Sequence, residues 1–360
     1  MADPSPSPVN GLASDIQRFL RGASEGQSLT GLLALGAGLV VLFSVLMPDR
    51  FPTAATAQSI MFQVPELGIL ALAMVVPLMS NGLNLAIIAT TNQCALLMAF
   101  VLTHLVPAGS SGAAVAGAIA LALAAGFLHC LIVGAVAGWL VASMGVHPIL
   151  VTLGTMSIID GVSIYLTRGT VIAGFPDAFQ WIGNGVVAGV PAPFLVFIAV
   201  TLMVALILAR TPFGIAVRMI GSNLEATRYS GIDTRRTIIG VYALSSVLCF
   251  IAATIMMARF NSASAGYAQS YLLVTILAAV LGGVDPNGGF GRIAGLTLAL
   301  LVLQIIASGL NQLGLSQHLT LAIWGLTLLG VMTLKRLIPL LPDLAALLRP
   351  TPASPKPPTP

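Results

Sequence analysis

Ten stretches of this chain are apolar and close to the roughly 20 residues that a helix needs to cross a bilayer. They fall at 30–47, 58–79, 83–104, 113–140, 148–166, 192–210, 237–258, 271–286, 291–312 and 317–338. Charge is scarce between and within them. The 360 residues hold 15 Lys+Arg and 11 Asp+Glu, 7% of the chain, against roughly 25% in an ordinary soluble domain. With 57% hydrophobic residues and a mean hydropathy of +1.01, too few charges remain to wet the surface of a soluble protein. The same arithmetic excludes a disordered chain. The net charge of +4 is spread too thinly to track nucleic-acid phosphates. What remains is an all-α polytopic membrane protein of about ten transmembrane helices.

Three runs carry internal marks. Thr90-Thr91-Asn92-Gln93 interrupts the third, the fourth is long enough to tilt or break near Gly126, and the eighth is short and ends in a glycine-rich turn. Orientation follows from the excess of Lys and Arg on cytoplasmic loops. With the N-terminus inside, only Arg50, Arg168 and Arg259 fall on the outer side, and the other twelve basic residues fall inside. The bias requires an even number of spans and places both termini in the cytoplasm. Residues 1–28 are polar and rich in Ser and Pro, and read as a disordered cytoplasmic segment. They lack a compact signal peptide, so the first helix reads as retained. The membrane domain covers 29–339, and 340–360 form a Pro-rich cytoplasmic tail. Cys94, Cys130 and Cys249 lie far apart in apolar runs and read as small buried hydrophobes. No metal site and no Walker-type phosphate loop is written in the chain.

One inner loop is long and basic. Arg210–Arg236 holds five of the fifteen basic residues and contains Ser222-Asn223-Leu224-Glu225, a capping-box pattern. Ser222 is expected to cap a short helix through the amide of Glu225, Glu225 to reach back, and Gly231 to close the helix in a left-handed conformation. Glu225 and Arg228, three apart, are placed to pair. A short capped helix on a cytoplasmic loop suits docking by a partner that moves the adjoining spans.

Here the sequence resembles a known family. Gly221, Asn223, Ala226, Ser230, Gly231 and Ile232, following Thr211-Pro212-Phe213-Gly214, are similar to the coupling segment of ribose-type (monosaccharide) ABC transporter permeases, in the branched-chain amino acid/ribose permease superfamily. Leu281-Gly282-Gly283 with Gly288-Gly289-Phe290-Gly291-Arg292 resembles the family's glycine-rich turn. His147–Thr155 and Ser308–Gly314 resemble two further segments. The matches are collinear from about 65 to 338. One segment departs. Where the family has an acidic residue after the second span, this chain has Asn84, and Ala86 and Ala89 stand at two serine positions.

Ionisable groups within spans normally face protein or water. Glu66, Asp160 and His129 are such groups. Asp160 requires a hydrogen-bonding partner, and His129 reads as a satisfied structural histidine. For a sugar route, uncharged polar groups are better suited, because they bind weakly enough to release. Asn81, Asn84, Thr90, Thr91, Asn92, Gln93, Asp160 and Asn261 are the candidate pathway residues, with helix-packing glue as the competing role for the polar cluster. The turns Ser80–Leu83 and Gly282–Gly291 sit comparably after the second and eighth spans, as in an inverted repeat.

The resemblance implies a type II-like ABC importer permease in a bacterial inner membrane, moving a monosaccharide or related polyol. It implies a second permease subunit, identical or not, a cytoplasmic ATP-binding subunit and an extracytoplasmic sugar-binding protein. The chain itself would be no enzyme and would need no cofactor. The alternative is a proton-coupled secondary transporter using Glu66 or Asp160. An integral-membrane enzyme would need a clustered nucleophile or metal set, and the four scattered histidines with no HExxH argue against one.

Overall fold

The computed structural model describes residues 27–105 and 112–337. Nearly all of the expected N-terminal segment and the whole of the expected tail lie outside them. The described residues form α1 (Gln27–Leu46), α2 (Ala54–Met79), α3 (Ile87–Leu105), α4 (Gly112–Met144), α5 (Pro148–Thr167), β1 (Ile172–Ala173), α6 (Asp177–Asn184), β2 (Val186–Val187), β3 (Val190–Pro191), α7 (Ala192–Arg210), α8 (Pro212–Ser222), α9 (Leu224–Tyr229), α10 (Thr234–Phe260), β4 (Ser262–Ala263), α11 (Tyr271–Leu281), α12 (Ile293–Gln312) and α13 (Gln317–Leu337).

Two helices make the centre. α2 is apolar all round and buried without a break from Val64 to Met79, as expected of a helix enclosed by others. Its internal Pro65 and Pro77 are tolerated because neighbouring groups in a membrane bundle take up the freed carbonyls. Ala73 O, which loses its helical donor at Pro77, accepts instead from Ser245 Oγ at 2.7 Å. α10 packs against α2, α3, α4 and α6. Asp233 starts it, accepting from Arg236 N at 3.0 Å. α1, α4, α5 and α7 lie outside this centre and turn apolar side chains such as Val45, Leu150 and Leu206 outward. That is the polarity a lipid-facing helix needs.

Among the described residues, eight helices are long and apolar enough to cross a membrane. The expected span 271–286 is not among them. α11 has 11 residues, about 16 Å of helix at 1.5 Å per residue, against a hydrocarbon core of about 30 Å. The residues after Leu281 turn instead of continuing, with Gly283 at φ 82°. The apolar stretch of α13, His318–Gly330, is also shorter than a full span. Of the two expectations for the long fourth span, a tilt or a break near Gly126, the break does not occur. α4 is continuous through Gly126, because that glycine serves packing: a Cβ there would lie 2.8 Å from Met98 Sδ and 3.1 Å from Cys94 Sγ. α3 likewise runs unbroken through Thr90–Gln93.

Between α10 and α11 the chain is non-helical while lying against the bundle interior. Its carbonyls must then be satisfied by protein. β4 pairs with β1 in antiparallel register, Ile172 opposite Ala263. Asn92 Nδ2 donates to Ala265 O at 2.9 Å and Tyr267 O at 2.8 Å.

Candidate functional site

α8 is built to stop against the end of α2. Thr211 caps it, accepting from Gly214 N at 3.2 Å, and Pro212 fills the first turn. Its penultimate residue, Gly221, leaves no room for a side chain: a Cβ there would collide with Met79 O and Gly289 N. Gly289 N in turn donates to Met79 O at 2.9 Å. Gly288, at φ 87°, lies on Asn81, where a Cβ would sit 2.7 Å from the Asn81 nitrogen. Gly282 meets Gly295 backbone to backbone where α11 crosses α12. The end of α2, the end of α8 and the turn Gly282–Arg292 thus form one junction, with Gly221, Gly282, Gly288 and Gly289 at backbone-to-backbone contacts. Gly283 and Gly291 complete the turn. Within it, Asp285 Oδ1 accepts from Asn287 N at 2.9 Å and Asp285 O from Gly288 N at 3.0 Å.

The short helix α9 follows directly, and its start corrects the expectation. Ser222 is still helical at the end of α8, so the break falls on Asn223 (φ −163°, ψ 107°). Asn223 is therefore the cap, accepting from Ala226 N at 2.9 Å. The reciprocal bond from Glu225 is not made, nor is the Glu225–Arg228 ion pair, and both side chains are exposed. Ser230 Oγ donates back to Ala226 O at 2.9 Å, and Gly231 adopts φ 80° as expected. Thr227 is the anchor, 1% exposed and donating to Asn223 O. Tyr229, at the other extreme, is 90% exposed. Arg210, Arg218, Arg228, Arg235 and Arg236 are all exposed around this segment. Arg236 pairs with Asp233 at 3.1 Å.

The candidate pathway residues do not come together around one cavity. Asn81 is exposed at φ 60°. It is the left-handed residue of its turn, while Gly82 is required for close approach to the Tyr242 hydroxyl. Asn84 is buried and pins three segments. Its Oδ1 accepts from Ala86 N, and its Nδ2 donates to Ser245 Oγ at 2.9 Å, which donates to Ala73 O at 2.7 Å. Thr91 donates to Ile87 O, and Thr90 Oγ1 is buried without a partner. Asn92 holds the non-helical segment described above, and Gln93 is half-buried. Asn261, at φ 50°, receives Phe175 N on its Oδ1 at 2.8 Å. Asp160 is half-buried on α5 and has no partner among the described residues. The expectation that His129 is satisfied fails at Nε2, which is buried and unpartnered.

Two features were not expected. Glu66, 1% exposed at the side chain, pairs with Arg259 at 2.9 Å, and the same Nη1 donates to Phe62 O at 3.0 Å. The second is a cavity of about 280 Å³ bounded by α2, the start of α11, α12 and α13. Gln63, Ser270, Tyr271, Gln304, Asn311 and Trp324 supply its polar and aromatic lining. Gln63 stands about 24 Å along α2 from Met79 at 1.5 Å per residue, so the cavity and the glycine junction occupy different ends of the bundle. The signal in the sequence was an amide in each of two otherwise apolar runs, Gln63 and Gln304.

A family model for the branched-chain amino acid transport system permease component matches residues 56–332. The autoinducer 2 import system permease protein LsrD of Yersinia enterocolitica is 31% identical over 313 residues, 84% of this chain and 89% of that protein. The protein of that name from Photorhabdus temperata is 32% identical over 302 residues, 81% of this chain and 87% of its own. That from Yersinia pseudotuberculosis is 31% identical over 271 residues, 74% and 78% of the two chains. No solved structure matches the chain.

Proposed function

The chain belongs to the branched-chain amino acid transport system permease family, and from that premise we infer that it is the membrane-spanning permease subunit of an ABC importer for a sugar-like solute. It is a transport subunit and not an enzyme. A permease of this kind works with an ATP-binding partner and a solute-binding partner. The finer reading is a monosaccharide or related polyol as solute, a second permease subunit beside this one, and a bacterial inner membrane with both termini in the cytoplasm. On that reading 1–28 and 340–360 flank a permease domain at 29–339.

The observation that carries the reading is the placement of α9 on the glycine junction. Gly221, Ser222, Asn223, Glu225, Ala226, Arg228, Ser230 and Gly231 form the coupling segment to the ATP-binding subunit. Thr227 ties it inward while Glu225, Arg228 and Tyr229 face out. A push on α9 would reach α2 through Gly221 and Met79, and α12 through the turn, without passing through a flexible side chain. The secondary-transporter alternative loses one of its two acids, since Glu66 is committed to Arg259.

The test is the double change Glu225→Lys with Arg228→Glu, beside Tyr229→Ala. Buried aromatic anchors dominate interface energies, so Tyr229→Ala is expected to remove the ATP-binding subunit on co-purification, and the charge reversal to weaken it. Membrane insertion of the permease stays intact in both. Normal co-purification and uptake in both variants would place coupling elsewhere.

A further inference from the structure

The cavity at the far end of α2 has a hydrogen-bonding ledger of its own. Gln304 Nε2 donates to Gln63 Oε1 at 2.8 Å, and Gln63 Nε2 donates to Ser59 Oγ at 2.8 Å. Those bonds occupy Gln63 at both ends and leave Gln304 Oε1 as a free acceptor. Among the described residues, the Ser270 and Tyr271 hydroxyls, the Asn311 side-chain amide and the Trp324 indole N–H have no hydrogen-bond partner. Ser270 begins α11 without turning its hydroxyl back to cap it. The cavity therefore offers donors and acceptors in mixture, held on four different segments.

Among the described residues no ionised side chain lines it. Glu66 adjoins the lining residue Leu67, and its charge is paired with Arg259 through Oε1 while Oε2 is buried without a partner among the described residues; Arg259 Nη1 also serves the Phe62 carbonyl. Among the described lining residues an anionic solute would find no cation to replace its water, and a cationic solute would meet only a carboxylate already paired with Arg259. An apolar solute would cover the half-buried Ser270 and Tyr271 hydroxyls and the exposed Asn311 amide without replacing their water, and a polar group covered without a partner is costly. Trp324 is 6% exposed and Tyr271 half-buried, so both present rigid ring faces with a polar edge. The volume of about 280 Å³ falls just under the ~300–1,000 Å³ of pockets for drug-sized ligands, which suits one small ring and not two.

We propose that this cavity is the solute-holding site of the permease, taking a neutral polyhydroxylated ring of monosaccharide size, with Gln304 and Asn311 as hydrogen-bonding groups and Trp324 as the stacking face. The proposal rests on the reading of the chain as a sugar-type importer permease. It places the holding site outside the polar cluster of α3, whose Asn92 is spent on the backbone beside β4.

The chain has three tryptophans, so Trp139→Phe with Trp181→Phe leaves Trp324 as sole reporter. That full-length variant, in lipid nanodiscs, is titrated with D-ribose, D-xylose, D-galactose and ribose 5-phosphate while Trp324 emission is recorded. A saturable change with at least one neutral sugar and none with the phosphate is expected. Asn311→Ala is the deciding variant, because among the described residues its exposed amide has no hydrogen-bond partner and its loss leaves the packing alone. It should raise the half-saturating concentration by about tenfold, the scale of one lost hydrogen bond. In the complete complex, uptake of the same sugar should fall comparably in Asn311→Ala and in Trp324→Leu. If the complex imports a neutral sugar while Trp324 ignores that sugar and both variants transport at the wild-type rate, the cavity lies off the route and only the proposal falls. If the complete complex carries none of the neutral sugars, the reading beneath it falls too. Preferential response to ribose 5-phosphate would overturn the neutral-solute assignment directly.

Discussion

The two ends of α2 are built by opposite rules. At Met79 backbone touches backbone: Gly221 and Gly289 bring their main chains onto the Met79 carbonyl, which the Gly289 amide bonds, and Gly288 lies on the Asn81 backbone, with only the short Ser222 and Asn81 side chains beside them. At Gln63 side chains meet across open volume, and an amide bridge to Gln304 spans the gap. A glycine junction has no rotamers to absorb a displacement, so movement of one segment must move the others. A cavity lined by amides, hydroxyls and rings can change shape by rotating them. The contrast teaches where stiffness and compliance lie along one helix, with the end near the coupling segment rigid and the far end adaptable.

The sharpest way to break that contrast is to free the helix at the Gln63 end. Arg259 holds Glu66 and the Phe62 carbonyl of α2 to the end of α10. Arg259→Ala leaves a carboxylate buried without its partner, which costs about 3–5 kcal/mol. Thermal unfolding in nanodiscs should show a large drop, and Glu66→Gln with Arg259→Gln together should recover much of it. Equal losses in the single and the double variant would mean that the pair is not the clamp.

Next in size is the junction. Gly221→Ala puts a Cβ into two backbone groups that have no way to rotate aside. Overpacking of this kind costs about 3 kcal/mol and should stop uptake, because α8 must lift away from α2. Asn311→Ala at the other end removes an exposed side chain with no hydrogen-bond partner among the described residues and should leave the melting temperature unchanged. A melting temperature that falls equally in both variants would erase the distinction between a rigid and a compliant end.

The sequence made some of this legible and hid the rest for physical reasons. α7 was readable to the residue at 192–210, because Pro191 and Pro193 open it and Thr211-Pro212 close it. The left-handed glycine after α9 was readable because a local pattern dictates a local conformation. The junction was not, since Gly221, Met79 and Gly289 meet only in the fold, although each segment drew notice separately. α11 was overestimated because its apolar composition runs on into a turn that only Gly282 and Gly283 mark. Asn84 and Asn92 drew attention as polar groups at lipid depth, and the same signal fits a water-filled route or a backbone needing donors. Which it is depends on the carbonyls of Ala73, Ala265 and Tyr267, and sequence does not place those. The cavity was missed because its amides, Gln63 on α2 and Gln304 and Asn311 on α12, lie far apart in the chain and meet only in the fold.

A smaller effect separates those two uses of an asparagine. Ser245 spends its hydroxyl proton on Ala73 O, so it can only accept from Asn84. Asn84→Asp, which installs the acidic residue usual in the resembling family, replaces that donor with a carboxylate facing an oxygen. The loss should be about 2 kcal/mol, the range for a buried group left without its hydrogen bond, read as a lower melting temperature. Asn84→Ala removes the donor without adding charge and should cost less. An unchanged melting temperature in Asn84→Asp would show that Ser245 can turn its hydroxyl and that the pin is not specific.

The smallest change tests whether the coupling segment is a separate unit on its rigid base. Asn223 ends α8 and caps α9 at once, and its Oδ1 takes the Ala226 amide at 2.9 Å. Asn223→Ala loses an N-cap worth about 1 kcal/mol, and Ser222 is not placed to replace it because it belongs to the preceding helix. α9 has six residues and little stability beyond its cap and the Thr227 anchor, so the effect should be confined to it. Global unfolding should barely shift, while amide exchange at Ala226 and Thr227 quickens and recovery of the ATP-binding subunit on co-purification falls. Asn223→Asp supplies the same acceptor and should restore both. If Asn223→Ala lowers the global melting temperature as far as Gly221→Ala does, α9 is part of the junction and not a lever resting on it.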